Sequence, residues 1–149
     1  MLERETMKNL FSIGALVLST FVFSGTASAR KTKAPEGAKV YIVSPKNGDT
    51  VKSPVRVVFG LEQMGVAPAG VKIAKTGHHH LLVNVDKLPN MNIPLPNNKN
   101  HIHFGGGQTE TTVELEPGKH TLQLLLGDHA HIPHDPPIIS EKITITVKK

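Results

Sequence analysis

The chain of 149 residues contains no cysteine, no tryptophan and a single tyrosine. Without cysteine, a disulfide framework, a zinc site with thiolate ligands and a cysteine nucleophile are all excluded. Aromatic residues make up 4% of the chain, which leaves little for base stacking, so we expect no nucleic-acid partner. Histidine, in contrast, occurs nine times, and every one of these residues lies beyond position 77.

The first 29 residues have the pattern of a secretory signal peptide. An apolar run over residues 10–23 is too short to span a bilayer comfortably, and Ala27-Ser28-Ala29 forms an A-x-A cleavage pattern. A start at Met7 fits a signal peptide better than a start at Met1, because it removes two glutamates from the segment before the apolar run. We therefore expect a periplasmic or secreted protein that has no transmembrane anchor once residues 1–29 are cleaved.

The remainder of the chain reads as short strands separated by turns, with no apolar stripe of helical period. We predict seven strands, at residues 39–44, 54–61, 77–86, 101–104, 109–116, 119–127 and 138–147. This number of strands in about 110 residues fits an immunoglobulin-like antiparallel β-sandwich. The predicted domain covers residues 39–149 and follows a basic, flexible stretch at residues 30–38.

Eight of the nine histidines fall at one end of this predicted sandwich. The connections between its second and third, fourth and fifth, and sixth and seventh strands share that end. These histidines include three H-x-H pairs, namely His78 and His80, His101 and His103, and His129 and His131. In an extended segment, residues two apart project on the same face about 6.5 Å from each other, so that both imidazoles can reach one ion.

Neutral imidazole is a common metal ligand, and zinc or copper needs three or four donors at roughly 2 Å. We therefore predict a metal site formed by seven histidines: His78, His80, His101, His103, His129, His131 and His134. The affinity order of the divalent metals favours copper, with zinc as the alternative.

Four further residues are candidates for the same site. Asp128 and Asp135 flank the last histidine cluster and could bind the ion or orient an imidazole, and Met64 could supply a thioether to Cu(I). His79 is ambiguous, because its position in the strand alternation points it toward the core edge. His120 lies at the other end of the sandwich, where we expect it to pack and to form a backbone hydrogen bond.

Three segments that contain the histidines resemble a bacterial exported family, the domain of unknown function 4399. They are Gly77-His78-His79-His80-Leu81-Leu82, residues 101–105 together with 108–111, and residues 127–137. The similarity extends from about Val40 to Val147. It implies a shared architecture and supplies no mechanism, so the function is inferred from the residues.

The pattern favours a periplasmic protein that binds copper or zinc for buffering, resistance or delivery to another periplasmic protein. An enzyme is the first alternative, either with a copper site like that of superoxide dismutase or as a zinc hydrolase with Glu110 or Asp135 as general base. The second alternative is an envelope or adhesion module whose histidine surface becomes cationic in acid. We expect binding rather than catalysis.

Overall fold

The computed structural model describes residues 31–149, and the predicted signal peptide and its start lie outside these residues. The described residues form nine strands and contain no helix. The strands are β1 (Lys39–Ser44), β2 (Thr50–Lys52), β3 (Val55–Glu62), β4 (Gly65–Val66), β5 (Thr76–Val83), β6 (His101–His103), β7 (Glu110–Val113), β8 (Gly118–Gly127) and β9 (Ile143–Lys148). Within residues 31–149 there is accordingly no helix long and apolar enough to cross a membrane.

The strands form two sheets. The smaller sheet has the order β1-β3-β7, and the larger has the order β2-β9-β8-β5-β4, with β6 paired to β5. β2 runs parallel to β9 and β4 runs parallel to β5, while the other pairs are antiparallel. The all-β, immunoglobulin-like sandwich predicted from the sequence is therefore confirmed.

Each of the seven predicted strands overlaps an observed one, two observed strands were not predicted, and the strands predicted at residues 77–86, 109–116 and 138–147 are shorter in the structure. β2 and β4 are only three and two residues long, too short to show an alternating pattern. The last strand begins at Ile143 instead of Ile138, because the segment before it forms only an isolated bridge, between Ile139 and Leu125.

Alternate side chains of the two sheets meet in one core. Leu81 and Val83 of β5 pack there together with Leu124 of β8, against Val57 and Phe59 of β3. All five side chains are buried, and each contributes about 1.5–3 kcal/mol on removal from water. The core thereby fixes which side chains of β5 face inward and which face the other way.

The outer face of the larger sheet is also covered. Leu82 of β5 and Leu125 of β8 point away from the sandwich core and pack with Val85 and Leu95, which belong to the connection between β5 and β6. As a result, β5 is buried on both faces from Gly77 to Val83. A histidine on the outer face of this strand therefore lies beneath loops and not at the solvent surface.

The segment before β1 is hydrogen-bonded to a part of the chain that is distant in sequence. The backbone N–H of Asp135 donates to the carbonyl oxygen of Thr32, and the N–H of Ala34 donates to the carbonyl oxygen of Asp135, both at 2.9 Å. These hydrogen bonds attach the N-terminal residues to the loop between β8 and β9.

Candidate metal centre

The three consecutive histidines of β5 point to opposite faces of the larger sheet. His79 faces the sandwich core, while His78 and His80 lie on the outer face, in the same row as Leu82. Loops cover this face, so the solvent-exposed fraction is 0% for His78 and 1% for His80. Two imidazoles are thus buried side by side, with their ring centroids 4.8 Å apart.

β6 brings a third histidine to the same place. The antiparallel register of β5 and β6 sets His103 opposite His80 and sets His101 opposite Leu82, two register positions further along the strands. One ring nitrogen of His78, one of His80 and one of His103 all lie within 4.8 Å of one another. This group could hold a metal ion.

His131, from the loop between β8 and β9, covers the three sheet histidines. Its ring centroid lies 5.0 Å from that of His78, 4.7 Å from that of His103 and 6.3 Å from that of His80. We call His78, His80, His103 and His131 the four-histidine cluster. Three of its members are on strands of one sheet, and the fourth is on a loop.

The backbone of His131 is held in an uncommon conformation, with φ at 65°. Its N–H donates to the carbonyl oxygen of Asp128, and its own carbonyl oxygen accepts from the N–H of Leu95, both at 2.9 Å. A left-handed conformation is costly for a residue with a Cβ, and such strain is concentrated at functional sites. Hydrogen bonds from two different loops thus hold this imidazole over the sheet.

Two glycines make room for the cluster. A Cβ on Gly127 would lie 2.8 Å from Cε1 of His80, and a Cβ on Gly105 would lie 2.3 Å from Cε1 of His103. Neither distance is compatible with ordinary van der Waals contact. The absence of a side chain at these two positions allows the imidazoles to lie against the backbone.

The ring nitrogens of the sheet histidines lack the partners that buried polar atoms usually have. Both nitrogens of His78, both nitrogens of His80 and Nε2 of His103 are buried and accept or donate no hydrogen bond to any group in residues 31–149. Each buried polar atom left in this state costs about 1–3 kcal/mol. These five atoms on three rings point to a ligand, and one metal ion can bind one nitrogen of each ring.

The three sheet histidines of the cluster are neutral at pH 7. Burial, together with the charges of neighbouring histidines, lowers the pKa of His78 to about 4 and the pKa of His80 to about 3. Burial and the nearby His131 also lower the pKa of His103. Neutral imidazole is the form that binds metal ions, so these side chains are ready to bind without losing a proton.

Asp128 organises the loop and is not a member of the cluster. Its carboxylate accepts hydrogen bonds from the hydroxyl of Thr32 at 2.6 Å and from the N–H groups of Ala130 and Ile132 at 2.9 and 3.0 Å. Burial raises the pKa of Asp128, but these hydrogen bonds outweigh burial and hold the pKa below its usual value. The carboxylate oxygens are thereby committed to the backbone that positions His131.

The structure leaves three of the seven predicted ligand histidines outside the four-histidine cluster. Nδ1 of His101 lies 3.2 Å from Oδ1 of Asn98, and Nδ1 of His129 lies 4.0 Å from Oδ2 of Asp128. His134 is fully buried, and its pKa is lowered by burial despite the opposing effects of Asp128 and of two backbone carbonyls. Neither of its ring nitrogens meets a group of residues 31–149 in hydrogen-bonding geometry.

The remaining candidates also have other positions. Met64 is half-buried and packs against the core between the sheets, whereas the side chain of Asp135 is exposed. The ring of His79 packs against Phe59 with centroids 5.0 Å apart, and its Nδ1 lies 3.2 Å from the carbonyl oxygen of Gln108. His120 forms the expected backbone contact, with Nε2 2.7 Å from the carbonyl oxygen of Glu116.

A comparison with known protein families supports the resemblance seen in the sequence. The family model described as "Domain of unknown function (DUF4399)" matches residues 57–148, which is more than half of the chain and includes all four residues of the cluster. No curated protein and no solved structure matches the chain significantly.

Proposed function

For this chain, which belongs to the DUF4399 family, we propose a role in binding one copper or zinc ion at the four-histidine cluster. The observation that supports this most strongly is the convergence of buried imidazole nitrogens that have no hydrogen-bond partner within residues 31–149. Imidazole suits both metals, and a bound ion would satisfy nitrogens that are otherwise costly to bury.

Binding is favoured over catalysis by the position of His131. A catalytic zinc ion has three protein ligands and an open position for water, whereas a closed site has four. The ring of His131 lies 5.0 Å from that of His78 and 4.7 Å from that of His103, centroid to centroid, although the nitrogens that lie within 4.8 Å of one another belong to His78, His80 and His103. We propose that His131 supplies the fourth ligand, which would close the site and suit buffering, resistance or delivery.

The general bases that a hydrolase would need are engaged elsewhere. Glu110 lies on β7 of the smaller sheet and forms an exposed ion pair of 2.5 Å with Arg56. The side chain of Asp135 is exposed, and its backbone pairs with Thr32 and Ala34. A general base must reach the water that it activates, and neither carboxylate belongs to the group that surrounds the cluster.

An acid-sensitive histidine surface fits the positions of these side chains less well. Such a surface needs exposed imidazoles that gain charge below about pH 6. His78 and His80 are buried, and burial lowers the pKa of each below that range. We therefore keep metal binding as the proposed role, in a periplasmic protein that serves buffering, resistance or delivery to another periplasmic protein.

Replacement of single histidines in β6 tests the proposal. His103 and His101 are two residues apart on this strand and are both partly buried, but only His103 belongs to the cluster. We expect His103→Ala to weaken copper or zinc binding by more than about 100-fold, beyond the 10–100-fold loss seen when a group that merely orients a ligand is removed. His101→Ala should bind as the wild type does.

Isothermal titration of metal-free protein with each metal gives both the stoichiometry and the affinity. One ion per chain for the wild type and for His101→Ala, with loss in His103→Ala, is the expected result. Equal binding by all three proteins, or equal loss in both variants, would place the site elsewhere.

A further inference from the structure

We infer that the four-histidine cluster is shaped for a tetrahedral ion, Zn²⁺, and holds Cu²⁺ away from the tetragonal geometry that Cu²⁺ prefers. This inference rests on the proposed metal-binding function and adds which ion the site fits. It differs from the preference for copper that the affinity order alone suggests.

The spacing of the four rings carries the inference. Five of the six distances between ring centroids lie between 4.7 and 5.0 Å, and the sixth, between His80 and His131, is 6.3 Å. If a metal–nitrogen bond is about 2.0 Å and each ring centroid lies about 1.1 Å behind its nitrogen, a tetrahedral ion sets all six distances at about 5.1 Å.

A square-planar ion requires a different set of distances. The same bond lengths then give four distances of about 4.4 Å and two diagonals of about 6.2 Å. Only one diagonal of that length is present, because the remaining pair, His78 and His103, is 5.0 Å apart. The four rings therefore do not lie in a square, and three of them are fixed in position by the hydrogen-bonded strands β5 and β6.

The donor types point the same way. A soft sulfur ligand would favour Cu(I), but Met64 packs against the core between the sheets, on the other side of the larger sheet from the cluster. No cysteine is present anywhere in the chain. Four imidazoles whose ring centroids have this spacing are a ligand set that suits Zn²⁺.

His131 is the residue on which this selectivity depends, because it is the one ligand that lies off the sheet. Without it, water can complete the coordination of a bound ion in whatever geometry that ion prefers. We expect His131→Ala to weaken Zn²⁺ binding more than Cu²⁺ binding, so that the ratio of Cu²⁺ to Zn²⁺ affinity rises by about tenfold or more. His129→Ala, on the same loop but outside the cluster, is the matched control.

The experiment measures the affinities of the metal-free wild type, His131→Ala and His129→Ala for Zn²⁺ and Cu²⁺ by competition with a chelator. The visible absorption of each protein loaded with Co²⁺, which replaces Zn²⁺ and reports its coordination number, is recorded in parallel. The expected result is an intense four-coordinate Co²⁺ spectrum in the wild type and in His129→Ala, and a raised affinity ratio in His131→Ala alone.

The outcomes separate this inference from the proposed function. A wild type that binds one ion per chain but gives a weak six-coordinate Co²⁺ spectrum, or an affinity ratio that is unchanged in His131→Ala, would overturn the tetrahedral selectivity and leave metal binding intact. A wild type that binds none of the three metals would overturn both.

Discussion

The hydroxyl of Thr32 donates a hydrogen bond of 2.6 Å to Oδ2 of Asp128, a residue 96 positions further along the chain. Asp128 in turn accepts the backbone N–H of His131 on its own carbonyl oxygen. The beginning of the folded domain is therefore connected, through one carboxylate and one loop, to the residue that covers the sheet histidines.

Thr32→Val tests whether this connection matters for binding. Valine keeps the shape of threonine and removes the donor, and a hydrogen bond to a charged group contributes about 1.5–3 kcal/mol. We expect a lower midpoint of denaturant unfolding and a metal affinity reduced by up to about tenfold, since the loop holds His131 less firmly. Thr112→Val, on the exposed side of β7, should change neither quantity. Unchanged affinity in Thr32→Val would show that the N-terminal segment does not influence the site.

Gly127→Ala tests whether the position next to the His80 ring must lack a side chain. The added Cβ would lie 2.8 Å from Cε1 of that ring, so the imidazole must move. We expect metal affinity to fall by about tenfold or more, the lower end of the loss caused by removal of a group that orients a ligand, because the displaced imidazole no longer has its binding orientation. In Gly65→Ala the new Cβ would meet Thr76 at 3.5 Å, an ordinary contact, and binding should be unaffected. Chelator competition on both variants distinguishes the two cases, and equal affinities would contradict the role given to Gly127.

His79 and its neighbour His78 should respond in opposite ways to substitution. His79→Ala removes a ring that packs on Phe59, and we expect a loss of about 2–3 kcal/mol in the free energy of unfolding with one ion still bound per chain. His78→Leu replaces unpartnered buried nitrogens with apolar atoms, so metal-free stability should not fall, while binding should be lost. Unfolding curves and metal titrations of both variants test this, and metal loss in His79→Ala would mean that the two faces of β5 have been assigned wrongly.

Acid should destabilise the metal-free protein well above the pH at which its carboxylates titrate. Burial lowers the pKa of His78 and His79 to about 4 and that of His80 to about 3, from 6.5. Between pH 6.5 and 4 the unfolded chain takes up protons that the folded chain does not, so the stability contributed by these groups is fully present above pH 6.5 and is lost as the pH falls. Each such histidine adds a slope of about 1.4 kcal/mol per pH unit.

Denaturant unfolding at pH 7, 6 and 5 measures this slope. His79→Gln removes one of the three groups. The slope of stability against pH should therefore fall by about 1.4 kcal/mol per pH unit, the contribution of one proton. Stability that does not change between pH 7 and 5 would mean that these histidines are not held neutral in the folded protein.

Much of the fold followed from local patterns in the sequence. The two-residue period of strands predicted the bounds of β1, and in β5 it separated His79 from its two neighbours. The H-x-H spacing likewise predicted His80 and His103 as ligands, and the structure places them opposite each other on β5 and β6.

The sequence could not distinguish members of the cluster from nearby histidines. His101 shares the alternation of His103, and only the register with β5, which sets it opposite Leu82, moves it away from the centre. The choice of His131 over His129 depends on a loop conformation with φ at 65°, held by Asp128 and Leu95, which no periodic pattern encodes. Such long-range hydrogen bonds are a property of the folded chain and not of a local segment.

Native mass spectrometry of the untagged protein without residues 1–29, after incubation with zinc or copper and removal of excess metal, tests the central claim most directly. We predict one ion per chain in the wild type and none in the double variant His78→Leu, His103→Ala, whose fold is checked by its unfolding curve. A folded wild type that stays metal-free at micromolar zinc and copper would contradict the assignment of the four-histidine cluster as a metal site.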